Sequence, residues 1–153
     1  MRILSLDVGE KNIGVAVSDE LGIIAQGLGV IRWQSRRQVF SVLTGYLKEY
    51  GVQEIVIGLP RNMDGSIGPQ AEKILAFKEK LAKFVNIPVV TYDERLTTAA
   101  AKRTLLEADV SRRGRKKVID KLAAVFILEG YLRYRKRHQA DELERNGQGE
   151  GSK

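Results

Sequence analysis

Residues 3–18 read ILSLDVGEKNIGVAVS, two short apolar runs joined by a polar turn. The first run, residues 3–8, predicts a buried strand, and residues 9–12 are of the types that form tight turns. The second run, residues 13–18, predicts another buried strand. Because only antiparallel neighbours can be joined by so short a loop, the two runs predict an antiparallel pair at the start of the fold.

The segments after this pair alternate between strand-like and helix-like patterns. A third strand is predicted over residues 23–33, and a helix follows whose apolar positions recur every three or four residues up to Tyr50 and which stops at Gly51. Further strands are predicted over 54–59 and 88–92, and further helices over 69–85, 97–108 and 118–137. Since parallel neighbours need a crossover, this order predicts an α/β protein with a mixed five-stranded sheet, three antiparallel strands then two parallel ones, flanked by helices.

The counts of cysteine and histidine exclude several kinds of chemistry. The chain has no cysteine, which excludes disulfides, thiolate zinc sites, iron–sulfur clusters and cysteine nucleophiles. Its one histidine, His138, lies in a highly charged C-terminal stretch, and we expect it to be an ordinary surface residue. Acid–base or metal chemistry must therefore rest on carboxylates, lysines, tyrosines or water.

Length and charge indicate the class of protein and of partner. The 153 residues predict one domain over residues 2–138, and the charged tail over residues 139–153 is expected to be disordered. A formal net charge of +7 favours polyanionic partners such as nucleic acid. The N-terminus does not have the pattern of a signal peptide, and no run approaches the roughly 18 apolar residues that span a bilayer. We therefore expect a soluble, cytoplasmic protein without a membrane partner.

Three acidic residues stand where acids are unfavourable. Asp7 ends an apolar strand, Glu94 follows another, and Asp120 heads an otherwise apolar helical stripe. The stripe consists of Asp120, Ala123, Ala124, Ile127, Leu128 and Tyr131. Structural alternatives are a turn cap for Asp7, an ion pair with Arg95 or a solvated loop position for Glu94, and a helix-dipole contact for Asp120. Together the three could form a carboxylate cluster suited to two Mg²⁺ or Mn²⁺ ions acting on a phosphodiester.

Four segments carry a resemblance to a known family. DVGEKNIGVAVSD at 7–19, VIGLPRNMDGS at 56–66, DERLTT at 93–98 and IDKLAAVFIL at 119–128 resemble the YqgF-type proteins, RNase H-like relatives of the RuvC resolvases. The four segments occur in the same order as in that family and at compatible spacing, and the resemblance covers about residues 2–134. It implies an RNase H-like fold, a cytoplasmic location and a divalent-metal nuclease site on Asp7, Glu94 and Asp120. The family's two described roles are processing of precursor 16S rRNA and resolution of Holliday junctions.

Basic residues near the three acids are candidates to bind the phosphate backbone. Five of them fall within residues 111–117, just ahead of the helix that carries Asp120, and three more lie near the other acids. The candidates are Lys11, Arg61, Arg95, Arg112, Arg113, Arg115, Lys116 and Lys117. A run of charges is also commonly a solvated loop. Trp33 and Tyr92 could stack on a base, but such residues more often pack at strand ends, and we leave both out of the site.

These observations favour a hydrolase, a metal-dependent endonuclease, and the resemblance favours the 5′ end of precursor 16S rRNA as its substrate. A Holliday junction resolvase is the alternative, and because a junction is two-fold symmetric it would require two sites, normally a homodimer. The sequence does not distinguish a monomer from a homodimer. A non-catalytic nucleic-acid-binding module is a further alternative, although three convergent negative charges would hinder phosphate binding.

A nucleotide-binding role is a fourth hypothesis. Asp7, Gly9 and Gly14 have the spacing of the first phosphate loop in the actin, Hsp70 and sugar-kinase ATPases. Those proteins close two domains around ATP, and 153 residues accommodate one. The sequence therefore favours the nuclease over the ATPase.

Overall fold

The computed structural model of the protein describes residues 1–96 and 116–150. Its strands are β1 (Arg2–Val8), β2 (Asn12–Ser18), β3 (Ala25–Arg32), β4 (Val52–Leu59) and β5 (Val89–Asp93). Its helices are α1 (Arg36–Tyr50), α2 (Pro69–Phe84), a short 3₁₀ helix (Glu94–Leu96) and α3 (Lys116–Glu150). The helix expected over residues 97–108 lies outside the described residues.

The five strands form one mixed sheet, as the sequence predicts. Their order is β3-β2-β1-β4-β5, with β1–β2 and β2–β3 antiparallel and β1–β4 and β4–β5 parallel. The opening turn is closed where the amide of Gly9 donates to the carbonyl of Asn12 at 2.9 Å. β1 therefore lies at the centre of the sheet, with antiparallel neighbours on one side and parallel neighbours on the other.

Helices cover both faces of the sheet, and each face has its own apolar core. On one face, Leu4 and Leu6 of β1 pack with residues of α1 and α2, among them Leu43 and Phe77. On the other face, strand residues pack against α3, among them Ile3, Val56, Ala124 and Leu128. Because side chains alternate along a strand, the odd-numbered residues of β1 point toward α3.

α1 and α2 begin and end with recognisable capping residues. The Ser35 side chain accepts a hydrogen bond from the amide of Gln38 at 3.1 Å, so α1 starts before the apolar residues that predict it. Gly51 ends α1 with φ 61°, a left-handed conformation that glycine adopts without strain. Pro69 occupies the start of α2, where its missing amide hydrogen costs no hydrogen bond.

α3 confirms the predicted stripe and is longer than predicted. All the residues of the stripe are buried, and none is more than 9% exposed. The helix continues past the expected end at Arg137 to Glu150, so residues 139–150 are helical where the sequence predicts disorder. Residues 139–147 are exposed and the stretch is polar, which explains why composition alone suggests an unfolded tail. His138 is exposed, as expected, and its ring lies edge-on to that of Tyr134.

Within the described ranges, none of the helices is long and apolar enough to cross a membrane.

Candidate active site

Asp7 lies on the face of the sheet that α3 covers. Two residues earlier on β1, the hydroxyl of Ser5 donates to the backbone carbonyl of Ala124 at 2.7 Å, which fixes the direction of this set of side chains. Asp7 is buried, at 5% exposed. Burial of an ionised carboxylate costs several kcal/mol of folding free energy unless favourable interactions compensate for it, so a buried Asp7 needs such interactions.

Gly14 allows α3 to approach Asp7 closely. Gly14 is the cross-strand partner of Asp7 in the β1–β2 ladder, so the two residues face the same side of the sheet. A β-carbon at Gly14 would lie 1.9 Å from the backbone oxygen of Asp120, closer than any real contact. The backbone of α3 at Asp120 therefore rests on the β2 residue opposite Asp7. Asp120 is itself buried, at 4% exposed.

Gly58 has the corresponding role on the other side of Asp7. β1 and β4 are parallel with Leu6 opposite Ile57, so Gly58 is the next residue along β4 beside Asp7. A β-carbon at Gly58 would lie 2.6 Å from Glu94 Oε1 and 2.5 Å from the Cδ1 of Ile127 on α3. The Glu94 carboxylate therefore lies over β4, in space that a side chain at position 58 would fill.

The structure thus brings Asp7, Glu94 and Asp120 to one end of the same sheet face. Asp7 is central, Asp120 is above the strand on one side, and Glu94 is above the strand on the other. All three residues have further interactions within the protein. Among the side chains of the described ranges, no three carboxylates or imidazoles are arranged to hold a metal ion as they stand. The donor chemistry nevertheless suits Mg²⁺ or Mn²⁺, because hard cations prefer carboxylate oxygens, and a cation here would offset the cost of burying Asp7 and Asp120.

Arg95 forms its ion pair with Asp93. The alternative in which Arg95 pairs with Glu94 is therefore not what the structure shows. The Arg95 guanidinium donates to Asp93 Oδ2 at 2.7 Å, and its Nη1 donates to the Met63 carbonyl at 3.4 Å. This hydrogen bonding holds the pKa of the Asp93 carboxyl below its ordinary value, with Arg61 at 3.9 Å adding a weaker attraction. Arg95 therefore ties the end of β5 to the loop between β4 and α2.

The remaining candidates for phosphate binding have different environments. Lys11 is exposed on the turn between β1 and β2, close in sequence to Asp7. Arg61 is exposed, and its guanidinium also donates to the Gly65 carbonyl at 3.4 Å. Arg112, Arg113 and Arg115 lie outside the described residues, and the side chains of Lys116 and Lys117 are likewise outside them. Tyr92 is buried and stacks on Tyr131 with ring centroids 5.9 Å apart, as expected for a residue packed at a strand end.

The two glycines that shape this site are what sequence reasoning missed. An isolated glycine in a strand often marks a place where another chain segment approaches closely, and Gly14 and Gly58 both interrupt apolar strand runs. That signal is present in the sequence, but it does not name the approaching segment. Asp120 is more than a hundred residues from Gly14 along the chain, so only the folded structure identifies the pair.

Comparison with known proteins assigns the chain to a family. A family model described as "RuvX: Holliday junction resolvase" matches residues 1–134. The chain belongs to the RuvX family. A relative from Moorella thermoacetica is 54% identical over 147 residues, which cover 96% of this chain and 99% of the relative. A relative from Symbiobacterium thermophilum is 58% identical over 132 residues, covering 86% and 92% of the two chains.

Both relatives bear the name "Putative pre-16S rRNA nuclease". Among solved structures, RuvC from T. thermophilus in complex with a Holliday junction is similar, with a TM-score of 0.53 at 16% identity over 88% of this chain and 96% of RuvC. The yeast mitochondrial Holliday junction resolvase has a TM-score of 0.50 at 13% identity, covering 90% and 80% of the two chains. These similarities confirm the RNase H-like fold, and the family and relatives together support a nuclease role.

Proposed function

We propose that this RuvX-family chain is a divalent-metal-dependent endonuclease whose site consists of Asp7, Glu94 and Asp120. The observation that carries the proposal is the burial of Asp7 and Asp120 on one sheet face, with Glu94 reaching over the strand next to Asp7. Two buried acids with a third, half-buried one close by are unfavourable for stability alone, because each added charge raises the cost of burial. A bound cation would add a favourable interaction to those that the three acids already make within the protein.

The backbone is held rigidly at two of the three acids and less rigidly at the third. Asp7 is held by the central strand and Asp120 by a helix that rests on Gly14, so their backbones are fixed by packing. Glu94 lies in a single turn of 3₁₀ helix after β5 and has a longer side chain that can adjust. Divalent ions, when bound, would activate the attacking water and stabilise the leaving oxygen of the phosphodiester. Lys11 on the adjacent turn, with the basic residues of 111–117, would bind the flanking phosphates.

We further propose precursor 16S rRNA, cut on its 5′ side in the cytoplasm, as the substrate. The relatives that cover nearly the whole chain support this choice by their name. The net charge of +7 is consistent with a long polyanionic partner. Cleavage of an RNA end requires one site, which a single copy of this chain would supply.

The competing substrate is a four-way DNA junction, which the description of the matching family model favours. Symmetric resolution requires two sites related by a two-fold axis, and therefore a homodimer. The two hypotheses differ in nucleic acid and in assembly, so one experiment can separate them.

The test is cleavage of two labelled substrates, a precursor 16S rRNA 5′ leader and a four-way DNA junction, with Mn²⁺. Asp7→Asn is the inactive control, since it removes one negative charge while preserving the shape of the side chain. Metal-dependent cleavage of the RNA alone, lost in Asp7→Asn, is the result expected. Paired symmetric cuts in the junction would assign the resolvase activity instead. Equal cleavage by the parent and Asp7→Asn would contradict the proposed site.

A further inference from the structure

A row of four aromatic rings lies between α1 and α2, on the face of the sheet away from α3. Trp33 contacts Phe77, Phe77 contacts Phe40, and Phe40 contacts Phe84, with ring centroids 6.0, 5.7 and 5.1 Å apart. The two middle rings are buried in the core, while Trp33 is 37% exposed and Phe84 is 56% exposed. The row therefore presents an aromatic surface to solvent at each of its ends.

Basic side chains from both helices lie along this row. Two open depressions of about 990 and 540 Å³ share Arg36 and Lys80 in their walls, and we treat them together as one groove. The cations that line it are Arg36, Arg37 and Lys48 from α1, and Lys73, Lys80 and Lys83 from α2. Among the described residues in its walls, the only acid is Glu10, at the end nearest β1. We call this surface the basic groove.

The basic groove reaches the end of β1 that carries Asp7, on the opposite face of the sheet from the three acids. The smaller depression is lined by Val8 and Gly9, which directly follow Asp7, and by Trp33. The amide of Trp33 donates to the Lys11 carbonyl at 2.7 Å, so this aromatic residue is anchored to the turn next to Asp7. A nucleic-acid strand that leaves the three acids would therefore pass over the β1–β2 turn, from one face of the sheet to the other, to enter the groove.

We propose that the basic groove binds a single-stranded segment of nucleic acid that extends from the site of cleavage. Proteins that bind single strands combine a positively charged groove, which follows the phosphates, with aromatic side chains on which bases stack. Both features are present here, and the rings at the ends of the row provide stacking surfaces. A duplex would not expose its base faces to Trp33 or Phe84, so the aromatic ends favour a single strand.

Solvated helix faces would explain the charges but not the exposed aromatic residues. Exposed cations on a helix are common, and an isolated charged stripe indicates nothing about a partner. In the basic groove, however, cations from two helices surround an apolar surface. Within that surface, more than half of the Phe84 side chain is exposed to water. A polyanion with flat apolar bases complements the charge and the aromatic surface together.

This inference rests on the proposed nuclease function, because it assigns part of the substrate to a second surface. It is tested by binding, so that its failure is distinct from a failure of catalysis. Fluorescence anisotropy would follow a labelled single-stranded RNA of about 12 nucleotides, within the site sizes typical of such grooves. The full chain carries Asp7→Asn in every sample to prevent cleavage, and the salt concentration is varied.

The double variant Arg37→Glu/Lys83→Glu should weaken binding at least about tenfold. It should also reduce the slope of log K against log salt by about 1.4, since each of the two single-strand phosphate contacts contributes about 0.7. The matched control reverses Arg137 and Arg145, which are exposed on α3, and lowers the net charge equally. The control should bind nearly as the parent does. This comparison separates a local groove from a general effect of charge.

Two aromatic variants test stacking. Phe84→Leu and Trp33→Leu keep an apolar side chain but remove the ring, and each should weaken binding about fivefold or more. Trp33→Phe restores a ring and should recover most of the affinity. Melting curves of all variants would confirm that they fold.

The possible outcomes separate the two proposals. Parent-like affinity and salt slope in the folded Arg37→Glu/Lys83→Glu protein would refute the groove, whatever the nuclease assay gives. Normal groove-dependent binding without metal-dependent cleavage would support the groove and refute the proposed nuclease function. Tighter groove-dependent binding of a duplex than of the single strand would overturn the choice of a single-stranded partner.

Discussion

Replacing Gly14 with alanine should push α3 away from β2 and inactivate the protein. The new β-carbon would stand 1.9 Å from the Asp120 carbonyl oxygen and 2.6 Å from its carbonyl carbon, both of them backbone atoms. An ordinary contact needs at least 3.4 Å, so α3 must retreat by about 1.5 Å at this point. Because the obstruction is backbone, no change of rotamer can relieve it.

The size of the effect follows from that displacement. Overpacking of a core typically costs about 1–3 kcal/mol, which lowers the Tm of a protein of this length by roughly 3–10 °C. Displacement of a catalytic group by about 1 Å can cost on the order of a hundredfold in rate. Gly14→Ala should therefore remain folded at room temperature and lose about a hundredfold or more of its nuclease activity, since Asp120 is carried away from Asp7.

The assay pairs a melting curve with metal-dependent cleavage of the substrate that the parent cuts. Gly29→Ala is the matched control, because this glycine is also in an antiparallel strand and a β-carbon there meets only the Tyr46 hydroxyl at 3.4 Å. The control should keep its activity. Parent-like activity and Tm in Gly14→Ala would refute the reasoning that close approach of α3 to β2 sets the position of Asp120.

Three further predictions follow from the same structure. Gly58→Ala should abolish cleavage by displacing the Glu94 carboxylate. Adding Ile127→Val, which removes the clashing Cδ1, should restore Tm but not activity. Recovery of both Tm and activity would contradict a role for Glu94. Mn²⁺ at a hundred times its Kd should stabilise the parent by about 2.7 kcal/mol in thermal denaturation but not Asp7→Asn, and an unchanged Tm in the parent would count against a metal site. Asp19 accepts hydrogen bonds from the amides of Ile24 and Ile23, which lower its pKa below the ordinary 3.8. Its stabilisation is therefore present above pH 3.8 and is lost as the pH falls through the folded-state pKa. Asp19→Ala should accordingly lower Tm at pH 7 but converge with the parent in strong acid, and an equal difference at both pH values would exclude the ionised carboxylate as the cause.

Local patterns predicted most of the secondary structure because their causes are local. Pro69 and Gly51 act within a few residues of their own positions, and the structure confirms both helix boundaries. The helical stripe headed by Asp120 follows from the 3.6-residue period, and its burial is confirmed. The predicted end of α3 at Arg137 was wrong because composition records only that residues 139–147 have no core around them. An extended helix without a core has the same polar composition as a disordered tail.

The sequence by itself determined the succession of strands and helices, singled out the three acids and predicted the buried face of α3, since each depends on spacing along one segment. Only the tertiary structure decided that Asp120 rests on Gly14, that Glu94 occupies the space above Gly58, and that Arg95 pairs with Asp93. It also brought the exposed rings of Trp33 and Phe84 to the two ends of one basic groove. The physical reason is that periodicity records which side of an element is apolar, whereas the partner of that side is chosen by packing between segments that lie far apart in the chain.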